Sequence, residues 1–149
     1  MSAPKNPDFA RSVRESFAAQ PLMATIGARL SHVAAGEVHI RLPFRPDLTQ
    51  QHGFLHAGVV ASALDSACGY AAFSLMPEGA GVLTIEFKTN LLAPAKGNEL
   101  IARGRVIRVG RTITVCQADA FMLSEGLEAP VATMIATVMT IRDRPDVVG

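Results

Sequence analysis

Apolar positions recur at two different spacings along this chain, and the changes of spacing divide it into elements. Phe9, Val13 and Phe17 fall four apart over residues 7–19 with Arg11, Arg14 and Glu15 between them, which predicts a short amphipathic N-terminal helix ended by Pro21. Residues 24–35 and 37–44 read as two strands about Ala35-Gly36; in the second, Val38, Ile40 and Leu42 alternate with His39 and Arg41. Pro43 and Pro46 close it, and 45–55 is a loop. From His56 to Met76 the period is that of a helix. Val60, Leu64, Ala67, Ala71 and Leu75 form one stripe in a proline-free, alanine-rich stretch of roughly 30 Å at 1.5 Å per residue.

Everything after that helix predicts β-structure. Leu83, Ile85, Phe87 and Leu91 alternate with Thr84, Glu86, Lys88 and Asn90 over 81–92, and Pro94 and Gly97 mark a turn. Residues 99–109 and 111–123 join near Gly110 as a hairpin, and 130–142 is rich in β-branched and apolar positions. One long helix and an antiparallel sheet of five or six strands make a single α+β domain over residues 1–149. A sheet wrapped around the helix explains why 56–76 holds one charged side chain beyond its start, Asp65.

Composition narrows the class. A chain of 149 residues is too short for a TIM barrel, and 49% hydrophobic against 18% charged residues excludes a disordered chain. The apolar surplus is high for a lone small domain and points to a buried subunit interface. A net charge of +1 makes nucleic acid an unexpected partner. The N-terminus has no secretory h-region, and the longest runs free of strong polarity are about a dozen residues against the roughly 20 of a membrane helix, so a cytoplasmic protein with no membrane partner is expected. Cys68 and Cys116 form no C-x-x-C and read as reduced core thiols.

Asp65 carries most of the chemical argument. A carboxylate mid-helix among alanines and glycine is costly unless paired, hydrated or used, and aspartate is a poor helix former. Gly58, Ser62, Gly69 and Ala72 share its face, small residues that admit a backbone or a ligand. Asp65 is then either a structural carboxylate bonded to a loop amide or arginine, or a general base with its pKa raised by burial. At the helix start, QHGFLHAGVV leaves first-turn N–H groups without internal acceptors; that of Ala57, with Gly58 beside it, is a candidate oxyanion donor. His56 and Asp65 lie nine residues apart, on opposite sides of the helix and roughly 13 Å apart along it. If both serve one site, a second copy of the chain supplies one of them. A metal pair at His52 and His56 is disfavoured, since Gly53 breaks the local helix and no third ligand has suitable spacing. Arg103, Arg105, Arg108 and Arg111 are either the solvated face of a strand or a phosphate-binding rim. No nucleophile elbow, Walker motif or G-x-G-x-x-G is present.

The segment Gln50–Gly58, with Asp65 and then Gly69-Tyr70-Ala71-Ala72, resembles the hotdog-fold acyl-CoA thioesterases of the phenylacetate-pathway (PaaI-like) type, and Leu92-Ala93-Pro94-Ala95-Lys96-Gly97 matches the segment after that family's first long strand. The resemblance implies a hotdog fold, a homo-oligomer (dimer or tetramer) and hydrolysis of acyl-CoA to free acid and CoA, with no metal or redox cofactor. It assigns Asp65 as the catalytic carboxylate, Ala57 as the oxyanion N–H and Gln50, His56 and Thr84 as supporting residues. The carboxylate comes from one subunit and the helix start from its partner. Arg108 and Arg111 are the candidates for CoA's phosphates. The common H-G-G reads H-A-G here; a backbone N–H survives the change, while the added methyl narrows the approach. Two alternative readings are a non-hydrolytic acyl-CoA or fatty-acyl binding module on the same fold and a hotdog dehydratase or hydratase, whose His with an acidic partner in a different arrangement is not seen here.

Overall fold

The structure, a computed structural model, describes residues 2–149. Its elements run α1 (Phe9–Ala19), α2 (Pro21–Ile26), β1 (Arg29–Ala34), β2 (Glu37–Pro43), a 3-10 turn at Pro46–Leu48, α3 (Ala57–Phe73), β3 (Gly81–Leu91), β4 (Glu99–Val109), β5 (Ile113–Ser124) and β6 (Leu127–Ile141). The six strands form one antiparallel sheet in the order β1-β2-β4-β5-β6-β3. Helix α3 packs on its inner face, and α1 lies across β1 and the flank of α3, with Phe17 edge-on to Tyr70 at 5.8 Å between ring centroids.

The helix sits deep because small side chains are frequent on the strands beneath it. Ala102, Ala118, Ala120, Ala132 and Ala136 are all buried on the inner face, under Ala63, Ala67 and Ala71 of α3. Closest of all is Gly104 on β4, where a methyl group would overlap the Ala67 carbonyl. Small-on-small packing lets a helix backbone approach a sheet backbone, so most of α3 is buried and a charged group on it has few places to go.

Four sequence expectations are corrected. Residues 24–26 are helical rather than extended: Pro21 ends α1 but occupies the first turn of α2, where its fixed φ suits the helix and its missing N–H is no loss, and Gly27 ends α2 in the left-handed region (φ +75°). β1 therefore starts only at Arg29. The long helix spans 57–73 rather than 56–76: His56 has extended backbone and serves as its N-cap, while Leu75 and Met76 close tighter turns onto Ala72 and Phe73. β5 begins at Ile113 instead of 111, and β6 begins at Leu127 and passes through Pro130. Strict alternation on β3 also fails. A bulge between Thr84 and Glu86 places Thr84 opposite Val138 and Phe87 opposite Ala136, so Thr84, Phe87 and Leu91 share the helix-facing side while Leu83 faces away.

Among the described residues β3 hydrogen-bonds only to β6, and it is an unusually apolar edge: Leu83, Ile85, Phe87 and Leu91 are each about half exposed. The close approach at Gly104 makes a direct prediction. Gly104→Ala lowers stability by about 1–3 kcal/mol through overpacking, seen as a lower urea midpoint at unchanged slope; an unaltered midpoint would show that α3 does not rest on this backbone.

Candidate active site

Asp65 lies half-buried on α3, where its Oδ1 accepts a 2.7 Å hydrogen bond from the Thr84 hydroxyl. No ion pair reaches it among the described residues. Desolvation raises its pKa above the ordinary aspartate value of 3.8, and the Thr84 bond holds part of that rise back. It lines a cavity of about 460 Å³ with Ser16, Gln20, Ser66, Tyr70 and Thr84. The β3 bulge is what turns Thr84 toward the carboxylate. Among the described residues neither a loop amide nor an arginine bonds to Asp65; its partner is the Thr84 hydroxyl.

The helix start forms a second group. Gln50 Oε1 accepts from the N–H groups of His52 (2.6 Å) and Phe54 (3.4 Å), and Gly53, at φ +83°, completes the turn. His56 follows as N-cap: its Nδ1 accepts from Gly58 N–H at 2.8 Å. A side chain at Gly58 would press on this ring, which explains a glycine there. The N–H groups of Val59 and Val60 both bond to the His56 carbonyl. Of the four first-turn donors, that of Ala57 alone has no acceptor among the described residues. It opens onto a cavity of about 520 Å³ walled by Phe54, Leu55, Val60, Leu91, Pro94 and Val131, in which Gln50 is the only polar side chain. A smaller cavity on the β3 side of Ala57 and Gly58 holds Thr89, whose Oγ1 is a buried hydroxyl without a partner.

Within one chain the two groups do not meet. The large cavities share no residue. Ala57 and Asp65 are eight residues apart on a rigid helix, about 12 Å along its axis, and a first-turn N–H points away from the body of the helix. The structure brings Asp65 to Thr84, His56 to Gly58, and Gln50 to the cavity that Ala57 also lines. Arg108 and Arg111 line neither cavity: Arg108 pairs with Val115 beyond a bulge in β4, and Arg111 sits in the β4–β5 turn. His52 and His56 do not join any metal-ligating group among the described residues. Burial pushes the Cys116 thiol up to about 12 and that of Cys68 up as well, so neither is a ready nucleophile. Sequence reading missed Thr89 and the apolar walls at Phe54, Leu91 and Val131, since nothing local distinguishes a strand threonine or leucine that faces a helix start from any other.

The sequence profile of the Thioesterase superfamily matches residues 52–129. The crystal structure of a thioesterase family protein from Silicibacter pomeroyi, 52% identical, superposes with a TM-score of 0.88 over 95% of this chain and 99% of that one. A Halobacterium salinarum protein named as an esterase is 35% identical over 113 residues, which is 72% of this chain and 74% of its own. At 16% identity, the E. coli PaaI protein from the phenylacetic acid degradation operon shares the fold, with a TM-score of 0.82 over 93% of this chain and 96% of that one. The sheet wrapped on α3 is the hotdog fold.

The carboxylate's environment can be read directly by ¹³C NMR. Asp65 titrates with its midpoint above 3.8, and in Thr84→Val, which keeps the shape and removes the donor, the midpoint moves higher still. A midpoint that falls or stays put on that substitution contradicts the hydrogen bond as the restraining influence.

Proposed function

The chain belongs to the thioesterase superfamily, and from that premise we propose that it hydrolyses acyl-CoA thioesters at a site assembled from two copies of itself. The observation that carries this reading is the division of one site's parts along one edge strand. The unpaired Ala57 N–H lies beside the Phe87–Leu91 end of β3, and Asp65 lies beside Thr84, toward the other end. Two copies pairing antiparallel along β3, about an axis between Phe87 and Lys88, put Thr84 of one opposite Leu91 of the other. That pairing brings each carboxylate to the partner's helix start, and it covers the exposed Leu83, Ile85, Phe87 and Leu91. A dimer is the minimum unit; a tetramer pairs two such dimers.

The chemistry follows from the groups present. The thioester carbonyl oxygen takes the Ala57 N–H, at the positive end of α3, which stabilises the oxyanion of the tetrahedral intermediate. Asp65 of the other subunit accepts a proton as water adds to the carbonyl carbon. Collapse of the intermediate breaks the C–S bond, and the proton held by Asp65 goes to the departing thiolate, giving a carboxylic acid and free CoA. Burial serves the base here, since a carboxylate with raised proton affinity takes a proton from water more readily. Gln50 and His56 hold the loop and the helix start in place; Thr84 orients the carboxylate. The apolar cavity beside Ala57 receives the acyl group.

An acyl-CoA panel with a thiol reagent tests the reading: release of free thiol supports hydrolysis, and binding without release identifies a binding module instead. On the best substrate, Asp65→Asn lowers kcat by about 10²-fold or more. It does so without loss of stability. Because the folded pKa lies above 3.8, the ionised carboxylate disfavours the native state above that folded pKa. The amide variant therefore melts at or above the wild-type temperature at pH 7, and the gain disappears below pH 3.8, where both forms are neutral. Unchanged turnover removes Asp65 from the mechanism. Ile85→Lys places a charge on the β3 edge; sedimentation then shows a smaller species and activity falls with it, whereas a fully active monomer overturns the shared site.

A further inference from the structure

On the outer face of the sheet, far from the α3 side, lies a side-chain cluster that thioester hydrolysis does not use. His32, Glu37 and His39 each present a ligand atom, and the three atoms lie within 4.8 Å of one another. The cluster is built by the β1–β2 ladder. A bulge between Leu30 and His32 lets both Ser31 and His32 oppose His39, so His32 leaves the inward-facing side that strict alternation would give it and stands beside His39 on the outer face. The imidazole rings are 4.6 Å apart between centroids. Glu37, two residues before His39 on the same face of β2, bonds to His39 Nε2 at 2.7 Å.

We propose that His32, Glu37 and His39 bind a divalent transition-metal ion of the zinc class, clipping the edge strand β1 to β2. Two imidazoles and one carboxylate on one side of an ion are a ligand set for borderline metals such as Zn²⁺, Ni²⁺ or Cu²⁺, and a poor one for Mg²⁺ or Ca²⁺, which take oxygen. The remaining coordination positions face solvent and take water. Glu37 replaces its bond to the His39 ring with a bond to the metal, so the existing contact already gathers two of the three ligands.

Neighbouring charges do not oppose a cation strongly. Arg103, opposite His39 in the ladder, is held in a two-pronged ion pair with Glu128 at 2.7 and 2.8 Å. Arg41 pairs with Glu99. Arg105, opposite Glu37, is turned to Gln117 and remains the one nearby guanidinium without a carboxylate partner among the described residues. β1 has the most to gain from a clip, since β2 is its only strand partner.

Equilibrium dialysis of the chelator-treated full chain against ZnCl₂ tests the site. The expected result is one Zn²⁺ per chain, not displaced by excess Mg²⁺ or Ca²⁺. His32→Ala/His39→Ala abolishes it and Glu37→Gln weakens it about tenfold or more, since even an outer-shell partner is worth 10- to 100-fold, while His52→Ala, in the exposed loop before α3, leaves it intact. Zn²⁺ raises the melting temperature of the wild type and not of the double variant, whose metal-free melting temperature matches the wild type. Zinc uptake that survives the double variant, or no uptake by the wild type at tens of micromolar metal, overturns the proposal.

Discussion

An aspartate without a counter-ion on a buried helix is the constraint from which most of this molecule follows. Alanines and one glycine on the sheet beneath α3 let the helix seat close, and few of its positions reach solvent. A carboxylate at residue 65 then has one hydrogen bond, from Thr84, in place of full hydration. That environment costs folding free energy above the pKa of the group. A neutral side chain of the same shape would fold at least as well. Such a cost at a cavity wall is the conflict between stability and reactivity that the proposed role of Asp65 entails.

The same close packing explains why the two halves of the proposed site stay apart within one chain. α3 is closely packed along its length, so the distance between its first-turn donor and Asp65 is set by helix geometry and cannot be shortened by side-chain movement. The loop before the helix spends its own polar groups on itself. Gln50 closes a turn and His56 satisfies Gly58. What remains is a single unpaired N–H at Ala57 beside an apolar cavity, a place that can polarise a carbonyl but holds no base. Each half lacks what the other has.

Much of this was legible in the residues. Asp65 stood out because charge is rare in an alanine-rich helix, and the turn at Gly53 with His56 behind it marked where that helix begins. The order of helix and strands followed from the change of period. What could not be read were the places where two strands negotiate register. The bulge at Ile85 decides that Thr84, rather than Leu83, faces the helix, and the bulge at Ser31 brings His32 beside His39. A bulge is a property of a pair of strands, so neither strand's own alternation reveals it. The second helix was hidden for a related reason: Pro21 reads as a stop, yet the same fixed φ makes it a good first residue for the next helix. The unpartnered hydroxyl of Thr89 and the apolar walls at Leu91 and Val131 depend on which strand lies beside the helix start, a tertiary fact.

The two edges of the sheet differ in a way that bears on assembly. β1 is six residues long, carries the exposed Arg29, Ser31 and His32, and is kinked by a bulge; short, polar, irregular edges resist pairing. β3 is eleven residues long and exposes large apolar side chains along most of its length. An edge of that kind in a lone subunit invites uncontrolled strand addition. A two-fold pairing along β3 closes it, because each copy consumes the other's edge and leaves only the two protected β1 edges outside. The asymmetry thus favours the closed dimer proposed above over an open chain of subunits. In that proposed dimer the apolar edge also lies beside both halves of the proposed site, so that the contact that would silence an aggregation-prone strand is the one that would complete the chemistry.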